Sequence, residues 1–306
     1  MADEWPLCLT RPVARIPIGL TRLDVVRAVL ESRVAIDSKR PSGVLVLDLI
    51  QDHDPIRSES DQFILVSEGL KQSYTYAKPA DAAEFRSTIE SCNAELVILD
   101  THGHYDRRTD TLSIGLGATT AAVEELLPQT RVPPVWVLSA CDTSVTGAMR
   151  GCFVRALLAK GAACVIATLT RVDAFVASMF VGRLLTEIFN PVVRGGQRTL
   201  AKVFFDTQVT TALLYDPVLP VMRRSMGDKG RREALGHVFS DFFSWARGAR
   251  LTARELRVAT AWVLGEAMAR HGLTDLYVAA HEAGQLRPET LLFSAFGAPN
   301  RVEILE

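Results

Sequence analysis

Two short stretches of this 306-residue chain hold residue types that could do chemistry together. The first is Leu99-Asp-Thr-His-Gly-His-Tyr-Asp106, with two histidines two apart just after an apolar run. The second is Leu138-Ser-Ala-Cys-Asp-Thr-Ser144, where Cys141 ends another apolar run and opens a loop of small polar residues. An imidazole near neutrality can exchange a proton or bind a metal, and a thiol attacks best as its thiolate. Two chemistries follow: a metal centre on His102, His104 and Asp106, or a nucleophilic Cys141 served by His102.

The metal reading lacks ligands. Arg107 and Arg108 follow Asp106, no histidine occurs between 104 and 237, and Cys141, Cys152 and Cys164 form no C-x-x-C pair. An imidazole-rich zinc site needs three or four ligands. A metal-dependent hydrolase is therefore the least favoured reading, and no metal or cofactor is expected.

The elements that must position the pair are legible as short apolar runs alternating with helical patterns. Strands are expected at Gly43–Ile50, Phe63–Val66, Glu95–Asp100, Thr111–Leu116, Val135–Ala140 and Ala163–Thr168. Helices are expected from Asp81 to Cys92 with Asp81 as N-cap, near 119–127, through Phe153 to Leu158 with Gly161 closing it, and from Asp173 towards Asn190. Continuous apolar strands separated by helices indicate a parallel sheet covered on both faces. Such sheets open their binding crevices at the C-terminal strand edge. If the strands ending at 100 and 140 are neighbours, His102 and Cys141 project from one edge although 39 residues separate them in sequence. Gly103 permits a tight turn, so the N–H groups of Gly103 and Cys141 are candidate oxyanion donors. Losing one such donor typically costs ~10²–10³ in turnover. Each piece alone has a plainer reading: a strand-end cysteine is commonly a small buried hydrophobe, and His-Gly can be a simple turn. Their joint placement favours the dyad.

The composition bounds the rest. Apolar residues make up 48% and charged residues 23%, with a formal net charge of -1. This is ordinary for a globular protein and gives no general attraction for nucleic acid or anionic membrane. No apolar run reaches the ~18–20 residues of a membrane span, the N-terminus does not read as a signal peptide, and five cysteines do not suggest a disulfide framework. A reduced, cytoplasmic protein is expected. Beyond 215, Met222–Arg232 reads as an exposed basic loop or hinge, residues 233–284 as helical with an amphipathic segment Thr252–Arg270, and Glu289–Gly297 as a last strand or buried turn.

With these motifs in hand, the chain resembles the CHAT family of caspase-like (clan CD) cysteine proteases. The resemblance is carried by Thr101-His-Gly-His-Tyr-Asp106 and Leu138-Ser-Ala-Cys-Asp-Thr143. It continues in Leu157-Leu-Ala-Lys-Gly-Ala-Ala-Cys-Val-Ile-Ala-Thr168, in Val172-Asp173 opening a helix, and in Phe293-Ser-Ala-Phe-Gly-Ala-Pro299. Thr170 and Arg171 stand where many members carry tryptophan and proline. The resemblance implies a caspase-like three-layer α/β sandwich, with a mostly parallel central sheet and helices on both faces; the helical pattern over 216–285, longer than the family leads one to expect, adds a C-terminal helical insertion. The resemblance divides the chain into an N-terminal segment 1–42 packing on the core, a catalytic core 43–215, and a helical extension 216–306 ending in the core's last strand. It makes Cys141 the nucleophile and His102 the general acid/base. Asp100, His104 and Asp142 are then cleft-lining or orienting residues, and Cys152 and Cys164 belong to packing. The implied activity is cysteine endopeptidase action on a protein or peptide substrate; because an unrestrained protease in a reduced cytoplasm would be harmful, gating by a regulatory partner or ligand is also expected. The competing reading is a non-enzymatic or partner-gated interaction module.

Overall fold

The structure, a computed structural model, describes residues 14–15, 33–39, 43–57, 74–106, 108–109, 111–117, 119–127, 131–140, 152–189, 198–212, 216–225, 227–248, 253–282 and 292–305. Its strands are β1 (Ala14–Arg15), β2 (Val34–Asp37), β3 (Val44–Asp48), β4 (Thr75–Ala77), β5 (Leu96–Asp100), β6 (Gly103–Asp106), β7 (Thr111–Leu116), β8 (Thr119–Ala122), β9 (Val135–Ser139), β10 (Cys164–Thr168), β11 (Arg198–Thr199), β12 (Phe293–Gly297) and β13 (Val302–Leu305). The helices are α1 (Ala82–Ser91), α2 (Val123–Leu126), α3 (Phe153–Ala159), α4 (Ala174–Phe189), α5 (Leu200–Thr210), α6 (Asp216–Ser225), α7 (Lys229–Gly248), α8 (Ala253–Arg270) and α9 (Thr274–Glu282).

Two compact units divide the chain. One comprises Pro12–Thr207 and Leu292–Glu306, the other Met1–Arg11 and Gln208–Leu291. The first is built on a seven-stranded sheet in the order β1-β12-β10-β9-β5-β3-β4. From β10 to β4 every pairing is parallel, whereas β12 runs antiparallel to β10. The strands β3, β5, β9 and β10 are buried along their whole length, which explains why they read as unbroken apolar runs.

Alternation along each strand sends side chains to two different layers. On one face Leu45, Leu47, Val97, Leu99, Trp136 and Leu138 join Phe85 and Ile89 of α1 and Phe153 and Leu157 of α3 in a single cluster. On the other face α4 packs on β9, and its Phe180 stacks on Phe293 of β12 with ring centroids 4.4 Å apart. Helices therefore cover both faces, giving the expected three-layer α/β sandwich.

Local signals act where the sequence placed them. The Asp81 carboxylate accepts the N–H groups of Ala83 (2.8 Å) and Glu84 (2.9 Å) at the start of α1. Asp173 caps α4 by accepting from Phe175 and Val176. Gly161 closes the turn after α3 at φ +97°. Gly297 lies at φ +91°, and a Cβ there would collide with the Ala163 carbonyl, which also receives the Ala298 N–H at 2.9 Å.

Three expectations are corrected. The helix expected near 119–127 is β8 followed by the single turn α2, because Thr119 and Thr120 pair with Leu116 and Gly115 of β7. The basic stretch 222–232 is mostly helix: Met222–Ser225 ends α6 and Lys229–Arg232 opens α7. Asp228 lies between them and accepts the Arg231 N–H at 3.1 Å, as an N-cap does. Finally, Gly297 does not end the strands, since β13 pairs in parallel with β2, Val302 opposite Val34. The strand expected at Phe63–Val66 lies outside the described residues.

The second unit has its own core, in which Val218, Val221, Leu235, Val238, Phe242, Leu264, Met268 and Leu273 pack together. Among the described residues no helix is long and apolar enough to cross a membrane.

Candidate active site

The parallel pairing of β5 and β9 sets Asp100 opposite Ser139, and the Thr101 N–H donates to Ser139 O at 3.2 Å. His102 follows this aligned pair by two residues on one strand, and Cys141 follows it by two on the other. Cys141 and Asp142 themselves lie outside the described residues. The strand-end row continues with Asp48 of β3, which pairs with Asp100, and with Thr168 of β10, whose hydroxyl donates to Ala140 O at 2.8 Å.

A narrow cleft of about 40 Å³ opens at this edge, lined among others by Asp100, Thr101, His102, Ser139, Thr168 and Ser178. Asp100, one of the lining residues, is only 6% exposed. His104 is an exposed residue of β6 and is not among those lining this cleft. Gly103 begins β6 opposite Ile114. The Gly115 N–H donates to His102 O at 2.8 Å, which makes Gly103 and Ile114 a non-hydrogen-bonded pair. The β6–β7 ladder therefore does not use the Gly103 N–H. Thr101 adds a second tie to β7, its hydroxyl donating to Gly115 O at 2.7 Å.

The His102 ring reaches an acid that the sequence reading did not single out. Its Nε2 lies 2.7 Å from Asp54 Oδ2, with the ring half exposed and the carboxylate mostly covered. Partial burial pushes the Asp54 carboxyl up, but the Ile56 N–H and the His102 ring outweigh it and hold the group below its ordinary value. Asp54 belongs to Gln51-Asp-His-Asp-Pro55, which reads in sequence as the turn ending a strand. The available signal was positional: an acidic cluster at the C-terminal end of a strand that turns out to be the neighbour of β5.

The histidine–aspartate motif serves other ends at its far side. Asp106 accepts the Arg108 N–H (2.8 Å) and the Thr109 hydroxyl (2.9 Å), and those bonds hold its carboxyl low. Among the described residues no three His, Cys, Asp or Glu side chains are grouped to hold a metal. Cys164 opens β10 fully buried, and Cys152 sits one residue before α3. Burial pushes both thiols up, and that of Cys92 as well, so at neutral pH these three are protonated packing groups.

Comparison with known proteins agrees with the motifs. Residues 57–201 match the family model of the CHAT domain, the family that the histidine and cysteine motifs resemble. No curated protein matches the chain. Among solved structures it is similar to the crystal structure of the Arg-specific cysteine proteinase gingipain R (RGPB), at 10% identity and a TM-score of 0.47, over 90% of this chain and 51% of that one. It is also similar to the complex of Porphyromonas gingivalis RgpB pro- and mature domains, at 11% identity and a TM-score of 0.44, over 62% of this chain and 48% of that one. The chain spans about half the length of each.

Proposed function

We propose that the chain is a cysteine endopeptidase in which Cys141 is the nucleophile and His102 the general acid/base. The observation that carries this reading is the in-register pair Asp100–Ser139 on adjacent parallel strands, from which both residues follow at the same offset. In the reaction, His102 accepts the thiol proton while sulfur bonds to the peptide carbonyl carbon. The C–N bond then breaks, and the leaving amine takes that proton from the imidazolium. Water releases the acyl group from the thioester by the same route in reverse. Backbone N–H groups, with Gly103 the candidate on the histidine side, stabilise the oxyanion. A regulatory partner or ligand that licenses the site, and a reduced cytoplasmic setting, belong to the same proposal.

The test is labelling with an acyloxymethyl ketone, a trap for activated thiols, read by mass spectrometry on wild type, Cys141→Ala and His102→Ala. We expect one adduct, on Cys141, formed about 10²–10⁴-fold more slowly without the histidine. The raised thiols of Cys92, Cys152 and Cys164 should stay unlabelled in the folded protein. Labelling spread over several cysteines and indifferent to His102 would instead favour a non-enzymatic interaction module.

A further inference from the structure

We infer that Asp54 is a positioning residue for His102, fixing the ring so that Nδ1, and not Nε2, is the nitrogen that exchanges the proton with the nucleophile. This rests on the dyad reading above and extends it to a third residue.

The argument begins with how the loop after β3 is held. Asp48, the last residue of β3, is 1% exposed and bonds both ends of that loop. Its Oδ1 accepts the Ile50 N–H at 3.0 Å. Its Oδ2 accepts Arg57 Nη1 at 2.6 Å and the Tyr76 hydroxyl. Arg57 Nη1 also donates to Ile50 O at 3.1 Å, so residues 50 and 57 are clasped together through one guanidinium. Inside the clasp the chain turns on Asp54. Its N–H donates to Gln51 O (3.0 Å), and its carbonyl accepts the Arg57 N–H (2.9 Å). The two carboxylate oxygens then divide their work: Oδ1 accepts the Ile56 N–H at 3.0 Å, and Oδ2 meets His102 Nε2 at 2.7 Å.

The tautomer follows from this division. A carboxylate accepts only, so a neutral ring facing it must carry its proton on Nε2, which leaves the Nδ1 lone pair free to accept. When Nδ1 takes a proton, the same carboxylate stabilises the resulting imidazolium, the role an acid plays behind a catalytic histidine. The loop geometry makes one substitution unusually informative. In Asp54→Asn the Ile56 N–H still requires an acceptor at the Oδ1 position, so the amide oxygen stays there and the NH₂ group faces His102. Nε2 must then accept, and the ring proton moves to Nδ1, where it blocks uptake of the thiol proton. In a serine triad the corresponding exchange costs about 10⁴-fold. A thiol ionises more readily than a hydroxyl, and roughly a 10²-fold loss is expected here.

The experiment measures two quantities. The first is the rate of Cys141 labelling by the acyloxymethyl ketone in wild type, Asp54→Asn, Asp54→Glu and His102→Ala. The second is the ¹⁵N chemical shift pair of the neutral His102 ring in wild type and Asp54→Asn. The expected result is a roughly 10²-fold slower Asp54→Asn, partial recovery in Asp54→Glu, and Nε2–H in wild type exchanged for Nδ1–H in the asparagine variant. Wild-type labelling by Asp54→Asn alongside a collapse in His102→Ala would overturn the role of Asp54 and leave the dyad standing. Indifference to His102→Ala would sink both. The wild-type spectrum decides even if a variant fails to fold, because a neutral ring protonated on Nδ1 contradicts the inference directly.

Discussion

A histidine–aspartate pair occurs in each unit of the molecule, and the two differ in what else the aspartate holds. In the sheet unit, Asp54 gives one oxygen to its own turn and the other to His102. In the helical unit, Asp241 Oδ2 accepts from His271 Nε2 at 3.1 Å and from Arg270 Nη1 at 2.6 Å. There the His271 ring is flanked by His237, with centroids 5.4 Å apart. The His271 hydrogen bond and the Arg270 charge together keep the Asp241 carboxyl low, so its charge is shared with a permanent cation. The pairing of residue types is the same, yet only His102 lines a cleft at a strand edge. The chemistry of the pair is thus set by the backbone beneath it: a clasped loop in one unit, a helix and the turn that follows another helix in the other.

The largest expected effect comes from removing the guanidinium of Arg57 in the sheet unit. Arg57→Met strips the partner from a carboxylate that is 1% exposed, and unpairing such a group costs roughly 3 kcal/mol. Chemical denaturation should show that loss. Labelling of Cys141 should slow by up to roughly 10²-fold as Asp54 drifts from the ring. An unchanged labelling rate in a destabilised Arg57→Met protein would mean that the clasp does not govern the loop.

Alkaline titration probes the same clasp from the tyrosine side. Loss of water around the Tyr76 hydroxyl, and its hydrogen bond to Asp48, push the phenol up to about 12. The folded value lies above the ordinary 10.0, so the neutral hydroxyl contributes its full stability below pH 10. That contribution is lost as the pH climbs towards 12. Phenolate absorbance should therefore show a late component that loses one tyrosine's amplitude in Tyr76→Phe, and an undiminished late component in that variant would refute the assignment. Burial also raises Tyr277 in the helical unit, where no carboxylate is among the causes.

The smallest effect belongs to Asp241→Asn. Its partner Arg270 is mostly exposed, with His271 partly covered, and ion pairs this near the surface contribute little. The thermal midpoint should fall by about 2 °C or less, and Cys141 should label at the wild-type rate. A slowed reaction would erase the distinction between the two pairs.

Sequence made the sheet legible where the physics is strongest. Residues 44–48, 96–100, 135–139 and 164–168 are covered on both faces, and burial on both sides leaves an uninterrupted apolar signature. The edges were harder to read. The run Thr119–Ala122 is a strand because β7 lies beside it, and Val302–Leu305 is one because β2 and β11 flank it; no partner is visible in the run itself. The stretch 222–232 resembles a loop because glycine and charge dominate it, yet exposed helix turns accept charge readily. His102 could be found because its motif is local. Asp54 could not, since 48 residues separate it from the ring and a folded loop brings them together.

The polar row at the strand ends also bears on how the sheet assembles. Asp48, Asp100, Ser139 and Thr168 terminate four strands that are otherwise almost wholly apolar. Sliding one strand along its neighbour by a residue would invert its faces and draw a carboxylate or hydroxyl in among leucine and valine without partners, a cost of several kcal/mol. The row is therefore a checksum on register, read during folding, before any substrate arrives.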